Sequence, residues 1–392
     1  MSTVVSDEPT SPQITEKPSA LVDEAPAVNP VVTSAEYVYN KYHIVQLNPI
    51  GIAAAAEHIQ RDIERTAYSP CTWRTHPLHL LPPEVYARDD PRTKATLDWI
   101  FLVSSLNFSF WSDRAARERF GVAWRRGWAD ERRTVHTGYW SLVAALDRAL
   151  ETGRPVIDPR VYSSMTDEDV QVLFAQAPNC QEGIPLPAER AEIMRENGNI
   201  LCTFFGGSFQ GFMDEFQRAY DGRGTALQMV QMVVDTFPSF RDEVWADGRQ
   251  ICFWKRAQIL VAEIWAAFHP LPEAKEAHPF FPQGIHQLTM FADYRVPQIL
   301  HHLNILTYPP ALEAVLRSGN DIAYGSPIEM SIRAASILAV EAIRDRIPGI
   351  SSVLVDFFLW DLAKRVEAGE EVVEGIATQN VLPAHRTRSI WY

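Results

Sequence analysis

Apolar residues return at helical spacing along almost the whole of this chain, in runs several turns long that end at turn-forming residues. The runs are Ala53–Thr66, Tyr139–Glu151, Ala188–Asn197, Ala226–Thr236, Phe253–Phe268, Ala311–Ser318, Ile328–Asp345 and Ser352–Ala368. Their edges carry the chemistry that starts and stops helices. Thr166-Asp167-Glu168-Asp169 has the form of a capping box opening Val170–Ala175, Pro187 stands before Ala188, and Gly198 is expected to stop that run. Strand signals are few, confined to short extended pieces at Thr134–Tyr139 and Asn199–Phe204. The pattern therefore predicts an all-α fold, mainly helical with minor short strands, around a central cleft. Residues 1–36, rich in Ser, Thr, Pro, Glu and Val without periodicity, are expected to be a disordered tail. No repeat or long linker follows, so 37–392 is read as a single helical domain with room for two lobes.

Length and charge narrow the function. With 392 residues, 46% of them hydrophobic, the chain can bury a large core. A formal net charge of -13 disfavours gripping a nucleic acid duplex, which needs a basic face to neutralise phosphates. No run approaches a membrane helix and the N-terminus lacks a secretory pattern, so no membrane partner and a cytoplasmic location are expected. Cys71, Cys180, Cys202 and Cys252 are scattered without a CxxC pair. No His, Cys or carboxylate cluster has ligand spacing, so neither a metal nor another cofactor is expected, and the His301-His302 doublet is placed on a helix surface. A monomer is favoured.

The segment Phe291-Ala292-Asp293-Tyr294-Arg295-Val296-Pro297-Gln298 sets one carboxylate among aromatic and apolar neighbours and follows it with a guanidinium. Such an Asp is costly unless it is paired, hydrogen-bonded or used. It could equally cap a helix over Val296–Leu306, with Pro297 in the first turn. Leu106-Asn107-Phe108-Ser109-Phe110-Trp111 suits either a stacking wall for a flat ligand or an ordinary aromatic core. In Phe253-Trp254-Lys255-Arg256 a Lys sits between aromatics at a helix start, either snorkelling outward or held inside by an anion. Asp356 and Asp361 interrupt an apolar helix and, about 140° apart in rotation, can share a ligand only if it meets the helix side-on. Phe205-Gly206-Gly207-Ser208-Phe209 reads as a tight bend more than a phosphate loop. The stretch Pro270–Pro282, rich in Pro and His, is expected to be a surface loop.

Taken in order, LNFSFW (106–111), FPSFRD (237–242), FWKRAQILVAEIW (253–265), FADYRVPQ (291–298), VDFFLWDLA (355–363) and HRTRSIWY (385–392) resemble the queuosine 5′-phosphate N-glycosylase/hydrolase family, the queuosine salvage proteins, from about residue 40 onward. The resemblance implies an all-α fold related to the helix-hairpin-helix DNA glycosylases. It also implies hydrolysis of queuosine 5′-monophosphate, a small-molecule nucleotide, to queuine and ribose 5-phosphate. By the same resemblance Asp293 carries the catalytic carboxylate, the family's Lys falls on Lys255, and Phe291 contacts the base. The family's late-helix acids fall on Asp356 and Asp361. Its histidine falls on His79, with His76 close by. Phe357 stands where the family often has Tyr, and Tyr294, Arg295 and Trp111 complete the substrate-binding set.

These residue types suit the chemistry. Cleaving the bond from C1′ of ribose to a base nitrogen passes through an oxocarbenium-like state, which a fixed carboxylate such as Asp293 stabilises directly or by activating water. Asp356 and Asp361 could hold the base's amino and imino hydrogens or the secondary amine of its cyclopentenediol arm. Lys255 with Arg256, Arg295, Arg386 or Arg388 offers charge for the 5′-phosphate, and Phe291, Trp111 or Phe108 a stacking face. Two other readings compete. A Lys and Asp pair also suits a DNA glycosylase with lyase activity, which the acidic balance disfavours. A non-enzymatic helical binding protein would leave three acids in apolar surroundings without a use.

Overall fold

A computed structural model describes residues 28–114, 118–271, 273–274, 276–369, 373 and 376–392. Among these residues the chain forms α1 (Pro30–Tyr42), α2 (Pro49–Thr66), α3 (Pro91–Ser105), α4 (Tyr139–Glu151), α5 (Pro159–Tyr162), α6 (Asp167–Leu173) and α7 (Pro187–Phe204). It continues through α8 (Phe209–Ala219), α9 (Ala226–Thr236), α10 (Lys255–Ala267), α11 (Val296–His302), α12 (Pro310–Ser318), α13 (Pro327–Arg344) and α14 (Ser352–Glu367). Strands occur as antiparallel ribbons. β1 (Gln46–Leu47) pairs with β6 (Leu306–Thr307), β2 (Gly121–Gly127) with β3 (Asp130–Thr137), and β4 (Glu243–Ala246) with β5 (Arg249–Cys252). Trp124 lies opposite Thr134 and Val244 opposite Ile251. The mainly helical expectation holds, and no described helix is long and apolar enough to cross a membrane.

The core gathers around α10. Along it Lys255, Arg256, Gln258 and Glu263 are buried together with the apolar residues, the signature of a helix enclosed on all sides. It packs on α3, on α9 and on the 3₁₀ turn Pro70–Thr75, while α11 packs on α14. Two of the polar side chains buried with α10 reach distant partners. Arg256 gives its Nη groups to the carbonyls of Ser105 and Ser239, and Gln258 bridges Asn29 and Thr289.

Several expectations need correction. Residues 1–27 of the expected tail lie outside the described residues, but 30–36 are helix: Asn29 accepts from Val31 N at 2.9 Å, Pro30 opens α1, and Val31, Ala35 and Val38 pack against α13. Gly198 does not stop a helix. It sits inside α7, where a Cβ would come within 2.8 Å of Ser163 Cα, so the glycine lets α7 pass the end of α5, and Asn199–Phe204 is helical. α11 ends at His302, not Leu306, because Asn304 turns left-handed (φ 57°) and Leu306 enters the ribbon with β1. His301 is buried, stacked 4.5 Å from Tyr308, and His302 Nδ1 lies 2.5 Å from Gln379 O, so the doublet is not a helix surface. The described residues of the 270–282 stretch form a loop, yet Phe280 and Phe281 at its end are core residues, and His278 donates Nε2–H to Trp265 O at 3.0 Å.

Candidate active site

A cavity of about 730 Å³ opens between α10, α14, the loop before α11, residues 107–112 and the turn that contains Trp73. Lys255, Ile259 and Glu263, four residues apart on α10, line one wall along a single helix face. α14 meets the cavity side-on, so Asp356, Phe357, Trp360, Asp361 and Lys364 all reach it despite their angular spread. Asp293, Lys255, His79, Phe291, Asp356, Phe357, Asp361, Tyr294, Arg295 and Trp111 all line this one space.

Asp293 both closes the turn that leads into α11 and lines the cavity. Its Oδ1 accepts from Arg295 N at 2.7 Å and Val296 N at 2.9 Å. Among the described residues Oδ2 carries no hydrogen bond. The two readings of the sequence are thus compatible: the cap fixes the carboxylate that the cavity presents.

Lys255 points inward. Its Nζ donates to Asn107 O at 3.1 Å and its main-chain N–H to Asp242 Oδ2 at 3.2 Å. Burial pushes the ammonium down to about 8, opposed chiefly by the negative charge of Asp293. Asp356 is buried and accepts from Phe291 N at 3.0 Å. Burial first, then the charge of Asp293, raise its carboxyl well above the ordinary range. Asp361 accepts from Tyr68 Oη at 2.6 Å, and burial raises its carboxyl too. His79 lies 4.0 Å from the Trp73 ring, stacked on it, with Nδ1 2.6 Å from Trp73 O. Burial depresses this imidazole to about 3, so it is neutral. Since a carbonyl only accepts, Nδ1 holds the proton and Nε2 is the acceptor.

Aromatic rings frame the space. Phe291 and Phe357 stand 6.0 Å apart, and Trp140 stacks 3.6 Å from His76 and lies 5.8 Å from Trp360. Trp111 is held by Nε1–H to Thr387 O at 3.1 Å and by Arg388 at 3.5 Å over its ring. Phe108 is a core residue that also reaches the cavity, with Arg190 4.2 Å over it.

Some expectations at the site fail. Arg256 and Arg388 do not line the cavity, because backbone carbonyls claim them: Ser105 and Ser239 for Arg256, Ser109 and Trp111 for Arg388. By contrast, Gly206-Gly207 forms the tight bend expected of it, leading into the Ser208 cap of α8 away from the cavity. Other lining residues escaped the sequence: Tyr68, Tyr139, Trp140, Glu263, Arg119 and Lys364. Glu263 could have been found two turns beyond Lys255 on the same face. It receives Tyr139 Oη–H at 3.2 Å on Oε1, its Oε2 is buried without a hydrogen-bond partner among the described residues, and burial pushes its carboxyl up to about 7.

A family model described as "Queuosine salvage protein" matches residues 86–392. Curated relatives named "Queuosine 5'-phosphate N-glycosylase/hydrolase" are similar over most of their length. The one from Schizosaccharomyces pombe is 36% identical over 369 residues, covering 92% of this chain and 99% of the relative. That from Mus musculus is 37% identical over 350 residues (86% and 93%), and that from Sphaerobacter thermophilus 40% over 304 residues (76% and 82%).

Proposed function

This chain belongs to the queuosine salvage protein family, and from that membership we propose that it hydrolyses the N-glycosidic bond of queuosine 5′-phosphate, releasing queuine and ribose 5-phosphate. The observation that carries the assignment of roles is Asp293, pinned by two backbone N–H groups beside Lys255 and Asp356 in a cavity walled with aromatic rings.

In this reading the C1′–N bond breaks with its electron pair going to the base, and the Asp293 side chain stabilises positive charge growing on the sugar. Water adds to C1′, and its proton passes to Asp293 or to solvent. Asp356, whose raised carboxyl favours the protonated form, can give a proton to the departing base, while Phe291 and Phe357 offer it aromatic surface. Neutral His79 and Asp361 offer acceptors to its N–H groups. Lys255 sets a positive charge that interacts with Asp293.

Incubation with queuosine 5′-monophosphate, queuosine nucleoside and a lesion-bearing duplex tests this. Equimolar queuine and ribose 5-phosphate from the monophosphate are expected, with no cut duplex. A borohydride-trapped adduct on Lys255 would instead establish lyase chemistry, which its lowered pKa makes the reading to beat.

A further inference from the structure

Three cations share one part of the cavity with one carboxylate among them. Arg119, Arg295 and Lys364 all line it, and so does Glu367. Glu367 Oε2 takes Arg295 Nη1 at 2.8 Å and Lys364 Nζ at 3.6 Å. Burial acts to raise the Glu367 carboxyl, yet Arg295, Lys364 and Arg119 together bring it below its ordinary value. Burial, then Arg295, with Arg119 adding, push Lys364 down to about 8, so the three cations are close enough to repel one another. The Nε of Arg119 is buried and has no hydrogen-bond partner among the described residues. Three positive groups against one negative group leave an excess of two, which is unfavourable in a partly desolvated space until an anion enters it.

The other cations of the cavity are committed elsewhere. Lys255 faces Asp293 and Asp356 and donates to Asn107 O. Arg386 pairs with Asp113 and donates to Gly319 O at 3.0 Å. Position also favours the cluster. Arg295 follows Asp293 by two residues, and Lys364 lies eight residues beyond Asp356 on α14, about 12 Å of helix rise. A base beside Asp356, a ribose at Asp293 and a phosphate at Lys364 follow this helix in order.

We infer that Arg119, Arg295 and Lys364 form the seat of the substrate's 5′-phosphate, a dianion whose charge cancels the excess that Glu367 leaves uncompensated. The inference rests on the N-glycosidase reading and deepens it, by naming the side chains that make the monophosphate the substrate. Glu367 has a secondary part: it holds Arg295 and Lys364 in place before the nucleotide arrives.

Calorimetric titration with ribose 5-phosphate, ribose and queuine, on the wild type and on Arg119→Met, Lys364→Met, Arg119→Lys and Lys364→Arg, tests it. The wild type is expected to bind ribose 5-phosphate far more tightly than ribose. Each Met variant should weaken ribose 5-phosphate about tenfold or more, as for a lost charge-assisted contact. The charge-keeping variants should retain most of the affinity, and queuine affinity should stay within about twofold, against a factor of ten for each 1.4 kcal/mol. Equal binding of ribose and ribose 5-phosphate by the wild type overturns the inference even if a Met variant misfolds. So does unchanged ribose 5-phosphate affinity in both Met variants, or a matching loss for queuine. Because these titrations involve no turnover, a wild type that binds ribose 5-phosphate at this cluster but releases no queuine from the nucleotide would sink the N-glycosidase reading alone.

Discussion

Replacing Asp293 by Asn separates the two duties of that residue. Asn is as good a helix cap as Asp, so Oδ1 can still accept from Arg295 N and Val296 N. Its amide cannot stabilise a sugar cation. Asp293→Asn should therefore keep its thermal midpoint while queuine release falls on the order of 10²-fold or more, the scale of losing one preorganised electrostatic contact. Steady-state kinetics beside a melting curve check both halves, and near-normal turnover would remove Asp293 from the chemistry. Glu263 shows a different kind of residue effect. Its carboxyl, ordinarily near 4.5, is pushed up to about 7 by burial. Between these values the folded chain holds a proton that the unfolded chain has released, so stability falls as pH rises through that window and the loss is complete above it. Glu263→Gln should gain stability over the wild type above about pH 7, on the order of 3 kcal/mol for a shift of this size, and lose that advantage near pH 4.5. Denaturant midpoints at the two pH values decide it; a constant difference would mean that Glu263 is already ionised in the folded protein.

Helices and loops record what a sequence pattern can and cannot disclose. Tyr139–Glu151 and Ala226–Thr236 were legible to the residue because apolar spacing and end signals agreed. Gly198 was not, because its reason is tertiary: the missing Cβ makes room for Ser163, and no local signal announces a neighbour. Gly198→Ala should lower stability by roughly 1–3 kcal/mol, the usual cost of overpacking, although Ala is the better helix former. A denaturation midpoint equal to or above the wild type would show that α5 can yield. The same divide runs through the site. Asp293, Lys255, Asp356 and Asp361 stand out in sequence as charges in apolar surroundings, and the motifs they sit in carry the family resemblance. Arg119, Tyr68 and Trp140 come from elements with no unusual local pattern, and only the tertiary fold brings them to the cavity. In the segment whose composition reads as a tail, Asn29 caps α1 and Pro30 opens it, a short local signal inside a polar stretch.

Across the molecule, the C-terminal segment closes a buried charge network that ends at the cavity. Residues 386–392 run back over the fold: Ile322 N donates to Arg386 O at 2.7 Å and Ser109 N to Tyr392 O at 3.0 Å. Inside, Arg333 forms ion pairs with Asp242 and Glu329, all three of them buried. Asp242 in turn accepts from the Lys255 main chain and from Tyr324 Oη at 3.2 Å, so the start of α10 is tied to this network. Two carboxylates face one guanidinium, and the second needs further donors. Glu329 finds them in Gly325 N at 3.1 Å and in Tyr392 Oη at 2.9 Å, while the Tyr392 ring lies 4.3 Å from the Arg333 guanidinium. Tyr392→Phe keeps the ring and removes the hydroxyl. It leaves a buried carboxylate short of a donor, and His385 Nε2 without its contact to Tyr392 Oη at 3.1 Å. A stability loss of about 1–3 kcal/mol should follow, the cost of an unsatisfied buried group. The loss should shrink in Tyr392→Phe combined with Glu329→Gln, because neutralising the acid removes the charge that needed the donor. Urea denaturation of the single and double variants measures that coupling, and additive effects would separate the C-terminal tyrosine from the network.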